Sequence, residues 1–161
     1  MQADLANDMR EGEVAVPLPS GFDAGVYFIG RIRTPWRERH ECPRQGDPVA
    51  GPVCRIETFA PWSAALAGIG TDRHLEILYW MHQARRDLVL QTPRHGQRTT
   101  GTFALRSPVR PNPIALSRVA VVALGDTWLD VRGLDCVDAT PLIDIKPEVC
   151  PNASLAGLRP R

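Results

Sequence analysis

Ser117-Arg-Val-Ala-Val-Val-Ala-Leu124, Gly125-Asp126 and Thr127-Trp-Leu-Asp-Val-Arg-Gly133 stand in succession near the middle of the C-terminal half of the chain. The first run is rich in Val and Ala, the second returns with a similar apolar content, and Gly-Asp between them is turn chemistry. The three pieces define a β-hairpin. Downstream, residues 142–145 form a short last strand after the Asp- and Pro-containing segment 135–147. Upstream, Gly101-Thr-Phe-Ala-Leu-Arg-Ser-Pro-Val-Arg-Pro-Asn-Pro-Ile-Ala-Leu-Ser117 starts like a strand at Thr102, Phe103 and Leu105. It then loses regular structure, because Pro108, Pro111 and Pro113 remove three backbone donors and push the residues before them toward extended conformations. The result is a stiff ribbon carrying Arg106, Ser107, Arg110 and Asn112, which has little ordering entropy left to lose on binding.

Further out, residues 87–91 and the strongly apolar 74–82 are expected strands, separated from the ribbon by the polar loop 92–100. Residues 61–69 form a short helix with Pro61 in its first turn and Gly68 and Gly70 as its stop. Residues 53–59 alternate Cys54, Ile56 and Thr58 against Val53, Arg55 and Glu57, a strand pattern. Residues 26–34 form the first firm strand, ended by Pro35, and Val14, Val16 and Leu18 alternate as a short edge strand. Between strands 26–34 and 53–59 runs the long polar segment 36–52, of a length that is more often functional than connective. Short strands with turn signals and one or two short helices define an all-β barrel or sandwich. Residues 1–25 are expected as a flexible N-terminal arm, 26–149 as the folded domain and 150–161 as a C-terminal tail.

The chain of 161 residues fits one domain by length, and its net charge of +1 carries no global basic signature for nucleic acid. Arginine supplies nearly all of the positive charge, Lys146 being the only lysine. Cys42, Cys54, Cys136 and Cys150 form no C-x-x-C pair. The first residues hold no apolar signal segment and no run is long enough to span a bilayer, which points to a cytoplasmic protein with reduced thiols. His40, His74, His82 and His95 lack metal-ligand spacing, so no metal is expected. No G-x-S-x-G and no G-x-G-x-x-G after a strand is present. Asp135, Asp138 and Asp144 cluster around Thr140-Pro141. Asp144 is assigned to structure, pairing with Lys146 or an arginine, and Asp138 stays open. Arg44, Arg106 and Arg110 lie in non-regular loops and suit an anionic ligand or RNA phosphates. Trp36, Tyr79 and Trp80 are able to stack on a base, while core packing is the simpler assignment for the last two.

Pro43-Arg44-Gln45, His82-Gln83, Arg106-Ser107-Pro108 with Arg110-Pro111-Asn112-Pro113-Ile114, Asp138-Ala139-Thr140-Pro141 and Asp144-Ile145-Lys146-Pro147 together resemble the TsaA-like (TrmO) family, in content and in order. The entry strand Ile29-Gly30-Arg31-Ile32-Arg33-Thr34-Pro35 resembles it too, so that the likeness covers about residues 26–149. The resemblance implies a single small β-barrel with long functional loops. It implies an S-adenosylmethionine-dependent methyltransferase, homodimeric, with the cofactor near the subunit interface, that methylates N6 of threonylcarbamoyladenosine next to the tRNA anticodon. By motif position it implies cofactor contacts at Pro43, Arg44, Gln45, His82, Gln83, Arg106, Leu116, Asp138, Ala139, Thr140 and Pro141. Arg110, Asn112 and Lys146 are assigned to the substrate. No membrane, DNA or metal partner is implied, and no catalytic residue is named. Three departures bear on the acceptor: Ala115 and Ala139 stand where the family usually has Gly, Glu148 stands where it usually has Tyr, and the C-terminal domain of longer bacterial relatives has no counterpart before Arg161. The alternatives are therefore a cofactor-binding barrel with a different acceptor, or a non-catalytic cofactor- or RNA-binding module.

Overall fold

Residues 9–93 and 98–148 are described by the structure, a computed structural model. The expectations placed on Arg94, His95 and Gly96 in the polar loop, on Cys150 and on the tail 150–161 lie outside the described residues. The chain divides into two compact units: residues 1–27 with 80–115, and residues 28–79 with 116–161.

The second unit holds a closed six-stranded barrel. Its strands are β2 (Gly30–Arg33), β3 (Cys54–Thr58), β4 (His74–Trp80), β7 (Ile114–Gly125), β8 (Trp128–Arg132) and β9 (Thr140–Pro147), in the order β2-β3-β8-β7-β4-β9. The β7–β8 hairpin is as expected, with Gly125 opposite Trp128. β7 opens at Ile114 rather than Ser117, because the last proline that prevents pairing is Pro113. The first strand is shorter than the expected 26–34: pairing begins at Gly30, while Val26, Tyr27 and Phe28 are exposed. Alternation fills the barrel. Cys54, Ile56 and Thr58 point inward with Leu75, Ile77, Tyr79, Val119, Val121, Leu129, Val131 and Leu142. The outward face carries cross-strand ion pairs: Arg31 with Glu57, and Arg55 gripping Asp130 through two bonds of 2.7 and 2.8 Å while stacking 4.1 Å from the Trp128 ring. Two register shifts, one extra residue at Val122 on β7 and one at Ile143 on β9, add the local twist that closing a small barrel requires. The expected helix at 61–69 is a 3-10 helix, Trp62–Leu66.

The first unit contains the antiparallel sheet β1-β5-β6, with β1 at Val14–Ala15, β5 at Leu88–Gln91 and β6 at Thr100–Gly101. The strand expected through Thr102, Phe103 and Leu105 is a 3-10 turn, Thr102–Ala104. The cause is a buried side-chain knot: the Thr102 hydroxyl donates to the Leu88 carbonyl (2.7 Å) and accepts from the Gln91 amide (2.8 Å), which turns the chain over at that point. Gln91 also donates to the Val109 carbonyl (2.6 Å). From Leu105 to Pro113 no strand or helix forms, as the prolines dictate. Arg86 anchors the far end of this ribbon, donating to the Pro111 carbonyl (2.6 Å) and lying 5.4 Å from the Trp80 ring.

Arg85 grips Asp87 with two bonds of 2.8 Å, and this guanidinium holds the Asp87 carboxyl below its ordinary range. A carboxylate whose folded pKa is depressed adds stability that is present above its unfolded pKa of about 4 and lost as pH falls through the folded value. Asp87→Asn should therefore flatten the acid limb of the unfolding midpoint against pH below about pH 4, with little change in shape above it. An unaltered acid limb would show that the pair contributes nothing to folding.

Candidate functional site

Within the barrel unit the segment from Gly133 to Pro141, which joins β8 to β9, is pinned at almost every step. Gly133 ends β8 with φ at +114°, a conformation that side chains rarely adopt. A Cβ there would stand 2.5 Å from the Arg118 carbonyl oxygen and 3.3 Å from the Pro48 Cα. Asp135 accepts from the Tyr79 hydroxyl at 2.5 Å and from Ser117 at 3.1 Å, and the two hydroxyls are 2.8 Å apart. Burial first, and then the Asp135 charge, push the Tyr79 phenol far up, so it stays a neutral donor. Thr34 donates to the Cys136 carbonyl (2.9 Å). The Asp138 amide donates to the Trp36 carbonyl (2.7 Å), and its carboxylate accepts from the Thr34 amide and from Arg33, each at 3.1 Å. The Thr140 hydroxyl donates to the Val137 carbonyl (2.8 Å), closing a turn in which Ala139 takes φ of +62° and is exposed.

The polar loop 36–52 is built against this segment. The Glu41 carboxylate accepts from the Arg37 and Glu38 amides (2.7 and 2.8 Å), and Asp47 accepts from the Val49 and Ala50 amides (2.8 and 3.0 Å). These amides hold both carboxyls below their ordinary range and shape the two ends of the loop. Between them, Gly46 packs its backbone on the Gly133 carbonyl so closely that a Cβ would overlap it. Cys42 is half-buried, and its thiol is raised by burial and then by the Asp135 charge. Pro43, Arg44 and Gln45 lie between Cys42 and Gly46 with exposed side chains. Leu116, exposed, immediately precedes Ser117. The chain neighbours of two motifs singled out in the sequence, Gly46 after 43–45 and Ser117 after Leu116, thus touch the pinned turn that itself carries the third, 138–141.

His82, Gln83 and Arg106 belong to the other unit, as do Arg110 and Asn112. His82 and Gln83 are exposed in a turn closed by the Ala84 amide on the Met81 carbonyl (2.9 Å), and Arg106 is exposed on the ribbon. Arg110 donates to the Ser107 carbonyl (3.4 Å), and Asn112 accepts from Arg86 (3.4 Å). Lys146 is exposed on β9 and pairs with Asp144 at 2.6 Å, the structural role expected for that aspartate. Glu148 takes Arg118 at 2.5 Å, so the departure from tyrosine at this position is filled by an ion pair with β7. Among the described residues, no three His, Cys, Asp or Glu side chains gather as a metal set. Sequence reasoning missed the Tyr79–Ser117–Asp135 knot and the Gly46–Gly133 contact; Tyr79 stood in it as core and Ser117 as a strand start. It also missed Gln91 and Arg86, which anchor the ribbon.

The barrel unit offers a carboxylate, Asp135, held among the described residues only by hydroxyls, an exposed arginine at 44 in the neighbouring loop and an exposed residue at Ala139. That set complements a nucleoside bearing a charged chain: peptide groups for the base edge, side-chain charges for the chain. Ala139→Gly should raise stability by about 0.5 kcal/mol, because relief of roughly 1–2 kcal/mol of left-handed strain outweighs the added freedom of the unfolded chain. Denaturant unfolding checks this, and a loss of stability would mean that the Ala139 methyl is needed where it stands.

Residues 31–151 match the model of the tRNA-methyltransferase O N-terminal domain. A protein of Rhizobium radiobacter named as a probable S-adenosyl-L-methionine-binding protein, VirR, is 48% identical over 151 residues, covering 94% of this chain and 86% of the relative. The tRNA (adenine(37)-N6)-methyltransferase of Escherichia coli (strain K12) is 38% identical over 141 residues, 78% of this chain and 60% of that one. The crystal structure of TrmO from Pseudomonas aeruginosa superposes with a TM-score of 0.65 at 31% identity, over 86% of this chain and 62% of that chain. The chain thus spans about three fifths of the length of these last two relatives. It belongs to the family defined by the N-terminal domain of tRNA-methyltransferase O, and its own sheet is a closed barrel rather than a doubly wound one.

Proposed function

We propose that the protein is an S-adenosylmethionine-dependent methyltransferase whose acceptor is N6 of a threonylcarbamoyl-modified adenosine next to a tRNA anticodon. The observation that carries the reading is the pinned turn that holds 138–141 and is touched by Gly46 and Ser117, the neighbours of 43–45 and of Leu116, in a chain whose match to the family runs from residue 31 to 151. The relative named as a tRNA (adenine(37)-N6)-methyltransferase supports the acceptor. The bound cofactor supplies an activated methyl group on a sulfonium, so the transfer needs no enzyme nucleophile. This chain's part is to bind and orient, which is worth a large share of the barrier when donor and acceptor are held in line. Backbone at Ala139 and Leu116 reads the base, Arg44 takes an anionic group, and the knot at Asp135 keeps the turn from yielding. A homodimer working in the cytoplasm completes the proposal. No helix among the described residues is long and apolar enough to cross a membrane.

A second reading has its own support. The 48% identical relative is named only as a binding protein, and Glu148 is committed to Arg118. On that reading the cofactor binds and the acceptor differs. The test is transfer of labelled methyl from S-adenosylmethionine to tRNA prepared with and without the threonylcarbamoyl group. Label confined to the modified tRNA supports the first reading. Saturable cofactor binding with no labelled tRNA supports the second.

A further inference from the structure

Most half-buried carboxylates of the barrel unit hold a cation. Glu57 holds Arg31, Asp130 holds Arg55, Asp138 holds Arg33, Asp144 holds Lys146 and Glu148 holds Arg118. Asp135 differs. Its partners among the described residues are two neutral hydroxyls, both on the same oxygen, Oδ1, and it makes no ion pair. Three contacts join Tyr79, Ser117 and Asp135, but only two hydroxyl protons serve them, so the knot is saturated with acceptors and its negative charge is uncompensated. The second oxygen, Oδ2, has no hydrogen-bond donor among the described residues. A carboxylate partly withdrawn from water and left without a counter-ion is costly, whereas a ligand cation placed against it gains a charge-assisted bond. The carboxylate lies on the same pinned turn as Asp138–Pro141 and accepts from Ser117, which follows Leu116.

The geometry points to Asp135 as the anionic contact, through Oδ2, for a cationic centre of the bound S-adenosyl ligand, with Tyr79 and Ser117 aiming the carboxylate. This rests on the cofactor assignment proposed above and adds a residue to it. The ligand has two candidate cations, the α-ammonium and the sulfonium, and related compounds separate them. S-adenosylhomocysteine keeps the ammonium and lacks the sulfonium charge; 5′-methylthioadenosine has neither.

Calorimetric titration of the full chain with these three compounds is the test, comparing wild type with Asp135→Asn. Asparagine keeps an oxygen acceptor for the two hydroxyls and removes the charge. The variant should bind S-adenosylmethionine about 10- to 100-fold more weakly and 5′-methylthioadenosine as well as wild type does. An equal loss for S-adenosylhomocysteine assigns the contact to the ammonium, and an unchanged affinity for it assigns the sulfonium. Unchanged S-adenosylmethionine affinity, or the same loss for all three compounds, overturns the inference. Wild type that binds none of the three overturns the cofactor assignment itself, a separate outcome. Should Asp135→Asn fail to fold, the wild type still decides: it should prefer decarboxylated S-adenosylmethionine, which keeps both cations without the carboxylate, to 5′-methylthioadenosine by at least about 10-fold, and equal affinities overturn the contact.

Discussion

Gly46→Ala should lower the unfolding midpoint by roughly 10 °C and abolish measurable S-adenosylmethionine binding. The added methyl has nowhere to go: its ideal position overlaps the carbonyl of Gly133, with further Gly133 backbone atoms behind it. Backbone cannot swing aside as a side-chain tip does, and Gly133 is itself wedged against Arg118 and Pro48. Overpacking of this kind costs on the order of 3 kcal/mol, which for a chain of this length gives the stated fall in midpoint. The binding effect follows from which piece must move. Asp138 and Asp135 fix the Gly133–Pro141 turn, so the yielding partner is the loop, and the loop carries Pro43, Arg44 and Gln45. Differential scanning calorimetry and ligand titration read the two effects. Normal stability together with normal binding would show that the loop does not rest on Gly133 in solution.

Arg106→Ala should leave the unfolding midpoint unchanged and weaken S-adenosylmethionine binding about 100-fold. Arg106 is exposed and makes no hydrogen bond or ion pair among the described residues, so its removal takes nothing from the fold. A guanidinium with no partner among the described residues, on a ribbon that Gln91 and Arg86 hold at Val109 and Pro111, is available to a ligand carboxylate. Truncating one member of such a charge pair costs about 2–5 kcal/mol. Arg106→Lys should recover only part of the affinity, since an ammonium keeps the charge but not the fork. Unchanged affinity in Arg106→Ala would remove this residue from the cofactor's contacts.

What was legible in the sequence was whatever depends on neighbours along the chain. The β7–β8 hairpin follows from a Gly-Asp turn between two apolar runs, and the Cys54–Thr58 alternation names its own inward face. The irregular ribbon follows from three prolines. What was not legible depends on distant partners. Thr102 and Phe103 have strand composition, yet Gln91 and the Leu88 carbonyl turn Thr102 into a 3-10 bend. Tyr79, Ser117 and Asp135 each look ordinary alone, and their knot joins three separate segments of chain. The candidate site divides along the same line. Its motifs were visible as a resemblance, whereas the glycine contact that seats the loop and the uncompensated charge at Asp135 exist only once the barrel has closed.

That closure has a consequence for how the protein is made. β2 is flanked by β3 on one side and by β9 on the other, and its register with β9 sets Gly30 against Leu142. The strand that begins the barrel therefore needs a partner synthesised more than a hundred residues later. At roughly 5–20 residues per second, the nascent chain carries an open sheet edge for about 5–20 seconds before its last stave emerges. Arg31 and Arg33 lie along that waiting edge. Charges at a sheet edge disfavour pairing with a neighbouring chain during such a delay.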